Sequence, residues 1–84
     1  MRVERSFRGI SQRLAVHYLT NLGGEEVESG RVVADGWEAS LSESKTTVGP
    51  TLTLNEVDVV FRGDDQVVEP LVEQFAQKAM RAGG

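Results

Sequence analysis

The chain has 84 residues, 39% of them hydrophobic and 26% charged, with a net charge of −4 and no cysteine. A chain of this size forms one domain, expected over residues 1–84, and buries roughly 60–65% of its unfolded surface, so its core is thin. The missing cysteines exclude disulfide scaffolds, thiol catalysis and cysteine-ligated zinc, and the acidic balance argues against general nucleic-acid binding.

No apolar run approaches the ~20 residues that span a bilayer. The charged start Met1-Arg2-Val3-Glu4-Arg5 lacks the apolar stretch of a signal peptide. A cytoplasmic location is expected. Residues 2–8 alternate, with Val3 and Phe7 on one face and Arg2, Glu4, Ser6 and Arg8 on the other, which predicts a half-buried strand. After Gly9 the period changes. Ile10, Leu14, Tyr18 and Leu22, with Ala15 and Leu19 alongside, form one apolar helical face. Ser11 suits the N-cap of that helix, and Gly23-Gly24 its end.

Residues 25–62 carry almost no helical pattern. Val27 to Val33 read as a strand with a bulge at Gly30. Asp35-Gly36 is the strongest hairpin signal in the chain. Trp37, Ala39 and Leu41 then alternate with Glu38, Ser40 and Ser42 in a half-buried strand, followed by a polar stretch around Lys45 and a break at Gly49-Pro50. Leu52 and Leu54 fall in even register, whereas Val57, Val59 and Phe61 fall in odd register. One strand cannot keep both sets on a buried face, so a bulge or a turn is expected at Asn55-Glu56. Val67, Val68, Leu71, Val72, Phe75, Ala76, Ala79 and Met80 follow helical spacing. Either Glu69 caps this second helix with Pro70 at its first position, or Asp64 or Asp65 caps a helix with irregular early turns.

The order strand, helix, three or four strands, helix predicts an α+β fold. Its antiparallel sheet of four to five strands is covered on one face by two helices. In the ubiquitin-like β-grasp a hairpin precedes the main helix and a terminal diglycine leaves from a strand. Here a single strand comes first and the diglycine leaves from a helix.

No residue pattern identifies a reaction, and no catalytic residue, metal site or cofactor is expected. His17 is the sole histidine, which rules out a histidine-rich metal site, and a boundary position on the helix is the simpler role. Asp64-Asp65 falls short of a calcium loop and suits a helix start. Trp37, Tyr18 and Phe75 are candidate walls of a ligand pocket between sheet and helices, or else core residues. Arg2, Arg5, Arg8 and Arg13 crowd the N-terminus. They suit either contact with an anion or acidic partner, or a solvated face.

The terminal Gly83-Gly84 stands apart. At about 7% glycine, a chain ends this way by accident roughly once in two hundred. A tail without β-carbons threads a narrow enzyme cleft and presents its carboxylate for adenylation, on the way to a thiocarboxylate or an amide with lysine. A frayed helix end is the alternative.

Several segments together resemble the C-terminal domain of MoaD-related proteins, relatives of the small, sulfur-carrying subunit of molybdopterin synthase. They are Phe7-Arg8-Gly9, Ala15 to Leu22 with Gly23-Gly24, Gly36-Trp37-Glu38-Ala39, Val57 to Gly63, and Phe75 to Gly84. The resemblance covers most of the chain through glycines and aromatics, and implies a TBP-like arrangement of strand, helix, four strands and helix. In that family the domain can follow a ubiquitin-like MoaD domain, which these residues do not include, so a carrier role would rest on Gly83 and Gly84. The function this implies is a non-catalytic accessory or carrier protein of molybdopterin and ubiquitin-like sulfur transfer. Its expected partner is an E1-like activating enzyme or a MoaD-type carrier. The alternative is a small binding module that uses the sheet–helix interface.

Overall fold

Alternating residues form the first strand, β1 (Arg2–Arg8), in the computed structural model, which describes residues 1–83. Helix α1 (Gln12–Asn21) follows. Its cap is Ser11, whose backbone is extended and whose hydroxyl accepts the Leu14 N–H at 3.1 Å. That bond satisfies one of the donors a helix start leaves unpaired. At the other end the Gly23 N–H donates to the Thr20 carbonyl.

The segment expected to be one bulged strand is two strands, β2 (Glu25–Glu28) and β3 (Arg31–Ala34). Gly30 is not a bulge but part of the Ser29-Gly30 turn between them. Its φ of +77° lies in the left-handed region, and a Cβ there would meet the Leu41 carbonyl at 2.7 Å. Only glycine fits both demands. The irregularity in the ladder falls earlier, between Glu26 and Glu28.

Asp35-Gly36 makes the expected hairpin, setting Ala34 opposite Trp37. Strands β4 (Trp37–Thr47) and β5 (Thr53–Gly63) pair along their whole length, from Trp37 opposite Gly63 to Thr47 opposite Thr53. No bulge or turn interrupts Asn55-Glu56. The phase conflict disappears because Leu52 and Leu54 are not core residues; they are 54% and 36% exposed. The β3 ladder on β4 stops at Ser40, and the β1 ladder on β5 stops at Glu56. Beyond those points β4 and β5 form a two-stranded arm, where parity no longer decides burial.

Helix α2 (Asp65–Gly83) starts where the Asp64 carbonyl accepts the Val67 and Val68 N–H groups at 2.9 and 2.8 Å. Of the two starts weighed, Asp64 holds and Glu69 does not: Pro70 lies inside the helix, in its second turn.

The sheet is antiparallel with strand order β1-β5-β4-β3-β2. Val57, Val59 and Phe61 of β5, Trp37, Ala39 and Leu41 of β4, and Val32 of β3 are buried against two sets of helix residues. These are Ala15, Val16 and Leu19 of α1 and Val68, Leu71, Val72, Phe75 and Ala79 of α2. Alternate residues on the opposite face are polar except Val33 and Val60, as suits an antiparallel sheet with one solvated face. The order is the α+β order expected, with five strands, and it is not the β-grasp order.

Candidate functional site

Direction places the end of α2. The helix leaves Gly63, which is bonded to Met1 beside the start of β1, and reaches the far end of β1 by Phe75, whose ring meets Phe7 at 4.9 Å. α2 therefore runs alongside β1 in the same direction. At 1.5 Å per residue, Gly83 lies about 12 Å beyond Phe75. The β4–β5 arm projects the same way, past Glu56. The C-terminal end of α2 and the arm thus share one pole of the molecule. Met80 and Arg81 are exposed there, with Met80 at 73% the most exposed large hydrophobic residue described. Arg81 in the last turn complements the negative end of the helix dipole. Gly83 belongs to α2; Gly84 lies outside the described residues.

The three aromatic residues proposed from sequence are not brought into one wall. Phe75 is fully buried and takes edge-on contacts from Phe7, from Phe61 at 5.6 Å and from Tyr18 at 6.2 Å. Such edge-on geometry matches the quadrupoles of the rings. Trp37 sits at the β3–β4 turn, where a Cβ on Gly24 would come within 2.7 Å of its ring. It also lines a shallow, open depression with Val33, Ala34, Glu38, Arg62 and Gly63.

The four arginines are not gathered either. Arg2 and Arg8 stand on the open face of the sheet, paired with Glu4 at 2.6 Å and Glu56 at 3.3 Å. Arg5 points to the helix side of β1 and donates to the Glu4 carbonyl. Arg13 lies on α1 beside Ser11, Leu14 and the exposed His17. A fifth arginine, Arg31, is held above its ordinary value by its hydrogen bond to Glu38, then by the charges of Glu38 and Glu28. Among the described residues, no group of three or more His, Asp or Glu side chains is arranged to hold a metal.

One link escaped sequence reasoning. The Glu43 carboxylate accepts the Gln12 N–H, tying β4 to the start of α1. The signal was the parity of β4: Glu43 continues the inward series Trp37, Ala39, Leu41. A carboxylate at a helix N-terminus satisfies an unpaired donor and the dipole together.

These features define a two-layer α+β fold with an open, mainly polar sheet face and a last helix that runs to Gly83. The chain belongs to the archaeal MoaD-like proteins, whose family model matches residues 3–84. That membership relates it to the molybdopterin and ubiquitin-like sulfur-carrier systems, which work through protein partners. A search of curated proteins finds no match. Among the described residues, no helix is long and apolar enough to cross a membrane.

Proposed function

We propose that this chain is a non-catalytic accessory or carrier protein of molybdopterin and ubiquitin-like sulfur transfer, with Gly83-Gly84 as its working end. Membership of the archaeal MoaD-like family is the observation that carries this reading. The chemistry of the tail supports it. A C-terminal carboxylate attacks the α-phosphate of ATP, releasing pyrophosphate and leaving an acyl adenylate. A sulfur or amine nucleophile then displaces AMP. Glycine leaves the carbonyl open to both steps, because no β-carbon shields it.

The exit from α2 supports the reading further. A helical glycine is about 1 kcal/mol less favourable than alanine, so extending the chain at Gly83 into a partner's cleft costs little. The partner is an E1-like activating enzyme or a MoaD-type carrier, met in the cytoplasm. That enzyme supplies the catalytic groups and this chain supplies the acyl group. Deleting Gly84 tests the role of the tail. The shortened chain should lose adenylation and bind the activating enzyme more weakly; unchanged adenylation and binding would remove the tail from the function.

A further inference from the structure

The two edge strands of the sheet differ. β2 is blunted, with four residues, three of them glutamates, and an irregular ladder. Charge, brevity and irregularity are the devices that keep a sheet edge from pairing with another. β1 has none of the last two. It runs for seven residues without proline or glycine and pairs with β5 without a register shift.

Hydrogen bonds at the ends of β1 fix which backbone groups face outward. The Gly9 N–H donates to the Asn55 carbonyl at 2.9 Å, and the Gly63 N–H donates to the Met1 carbonyl at 3.2 Å. Positions 1 and 9 therefore face β5, and with them Val3, Arg5 and Phe7. In an antiparallel ladder the alternate residues point the other way. Arg2, Glu4, Ser6 and Arg8 direct their N–H and carbonyl groups away from the sheet and hold their side chains on its open face.

We propose that this edge joins two copies of the chain, β1 against β1 and antiparallel, about a two-fold axis at Ser6. Charge and overlap select the register: centring on Val3 would also set Arg2 against Glu4, but would pair only residues 2–4 of the strand. Centring the pair on Glu4 would set Glu4 against Glu4, and centring it on Arg5 would set Arg2 against Arg8. Centring it on Ser6 places Glu4 opposite Arg8 of the second copy on both sides of the axis, with Ser6 opposite Ser6. Even residues then meet even residues, so the open faces of both sheets stay on one side, and the outward backbone groups find partners once Arg5 releases the Glu4 carbonyl. Opposite charges directly across a strand pair stabilise it, and like charges destabilise it. The Arg2–Glu4 pair is exposed, and so is the Arg8 side of the Arg8–Glu56 pair, and such surface arginines exchange partners at little cost.

The helix side agrees. In this register Arg5 falls opposite Phe7 of the second copy. Arg5 lines an open groove with Val3, Val72, Glu69 and Glu73, and the half-buried Val3 and Phe7 lose their remaining exposure when the edge is covered. An arginine over a phenylalanine ring is a favourable contact. The interface is self-complementary, as a two-fold interface must be.

Sedimentation equilibrium from micromolar to sub-millimolar concentration tests the proposal. The expected mass is twice the 9.2 kDa of the chain. Ser6→Pro removes an outward N–H and leaves the β5 ladder intact, so it should give a folded monomer with an unchanged circular dichroism spectrum. Glu4→Arg should weaken the dimer by about tenfold or more, and adding Arg8→Glu should restore it. If Ser6→Pro does not fold, this charge exchange decides alone. A monomer at every concentration overturns the proposal. So does a dimer indifferent to all three variants, which would place the joint elsewhere, for instance on the exposed Val48, Leu52 and Leu54 of the arm.

Discussion

Phe75→Ala is the most informative perturbation of the core. Phe75 is fully buried, and the rings of Phe7, Phe61 and Tyr18 close on it at 4.9, 5.6 and 6.2 Å. Truncation removes the apolar area of the ring and leaves a cavity that three edge-on aromatics cannot fill by a rotamer change. Phenylalanine-to-alanine changes at such sites cost about 3–5 kcal/mol, and the lost ring pairs place this one at the upper end. The whole domain is expected to hold only about 4–13 kcal/mol. The variant should therefore melt roughly 20 °C lower, measured by far-ultraviolet circular dichroism with urea unfolding alongside. Phe75→Leu keeps most of the volume and should lose about half as much. A loss below about 1 kcal/mol for Phe75→Ala would refute the reasoning, because it would mean that space or solvent already surrounds the ring. It would also favour Phe75 as a pocket wall over a core residue.

Gly63→Ala should be nearly as damaging as Phe75→Ala. A Cβ at Gly63 would collide with the Gly36 carbonyl and lie 2.8 Å from the Trp37 Cα, on a backbone at φ +150°, so a loss of about 3 kcal/mol is expected in urea melts. Glu43→Ala should cost about 1 kcal/mol by freeing the Gln12 N–H, whereas Glu43→Gln, whose amide oxygen still accepts, should cost less in the same assay. Pro70→Ala should raise stability by about 1 kcal/mol or more, since it restores a donor in the second turn of α2; a thermal melt that falls instead would show that proline is needed there.

Much of the fold was legible because local chemistry and tertiary need agreed. Ser11 caps α1, Asp35-Gly36 turns the chain, and Trp37, Ala39 and Leu41 alternate into the core as their spacing requires. The misreadings arose where one signal had two physical sources. A glycine within an apolar run marks either a bulge or a tight turn, and only the pairing of Glu28 with Arg31 separates them at Gly30. The parity of Leu52 and Leu54 assumed a core on one side of the whole strand, but the arm runs beyond the neighbouring strands. Pro70 reads as a helix start because proline fits there best, yet the bonds of the Val67 and Val68 N–H groups to the Asp64 carbonyl begin the helix earlier.

The site was less legible. Arg2, Arg5, Arg8 and Arg13 are neighbours in sequence but divide between two faces of β1 and the outside of α1. The role of Glu43 depended on knowing which strand passes under the start of α1. The Gly83-Gly84 pair is visible in the sequence, whereas the position of Gly83 at the pole shared with the arm follows only from the direction of α2.

Intact-mass analysis after incubation with ATP and an E1-like activating enzyme tests the carrier role most directly. The account predicts a mass shift localised to the C-terminal glycine, as an adenylate, a thiocarboxylate or an amide to lysine. An unmodified mass, with the same enzyme preparation active on a known carrier, would contradict it.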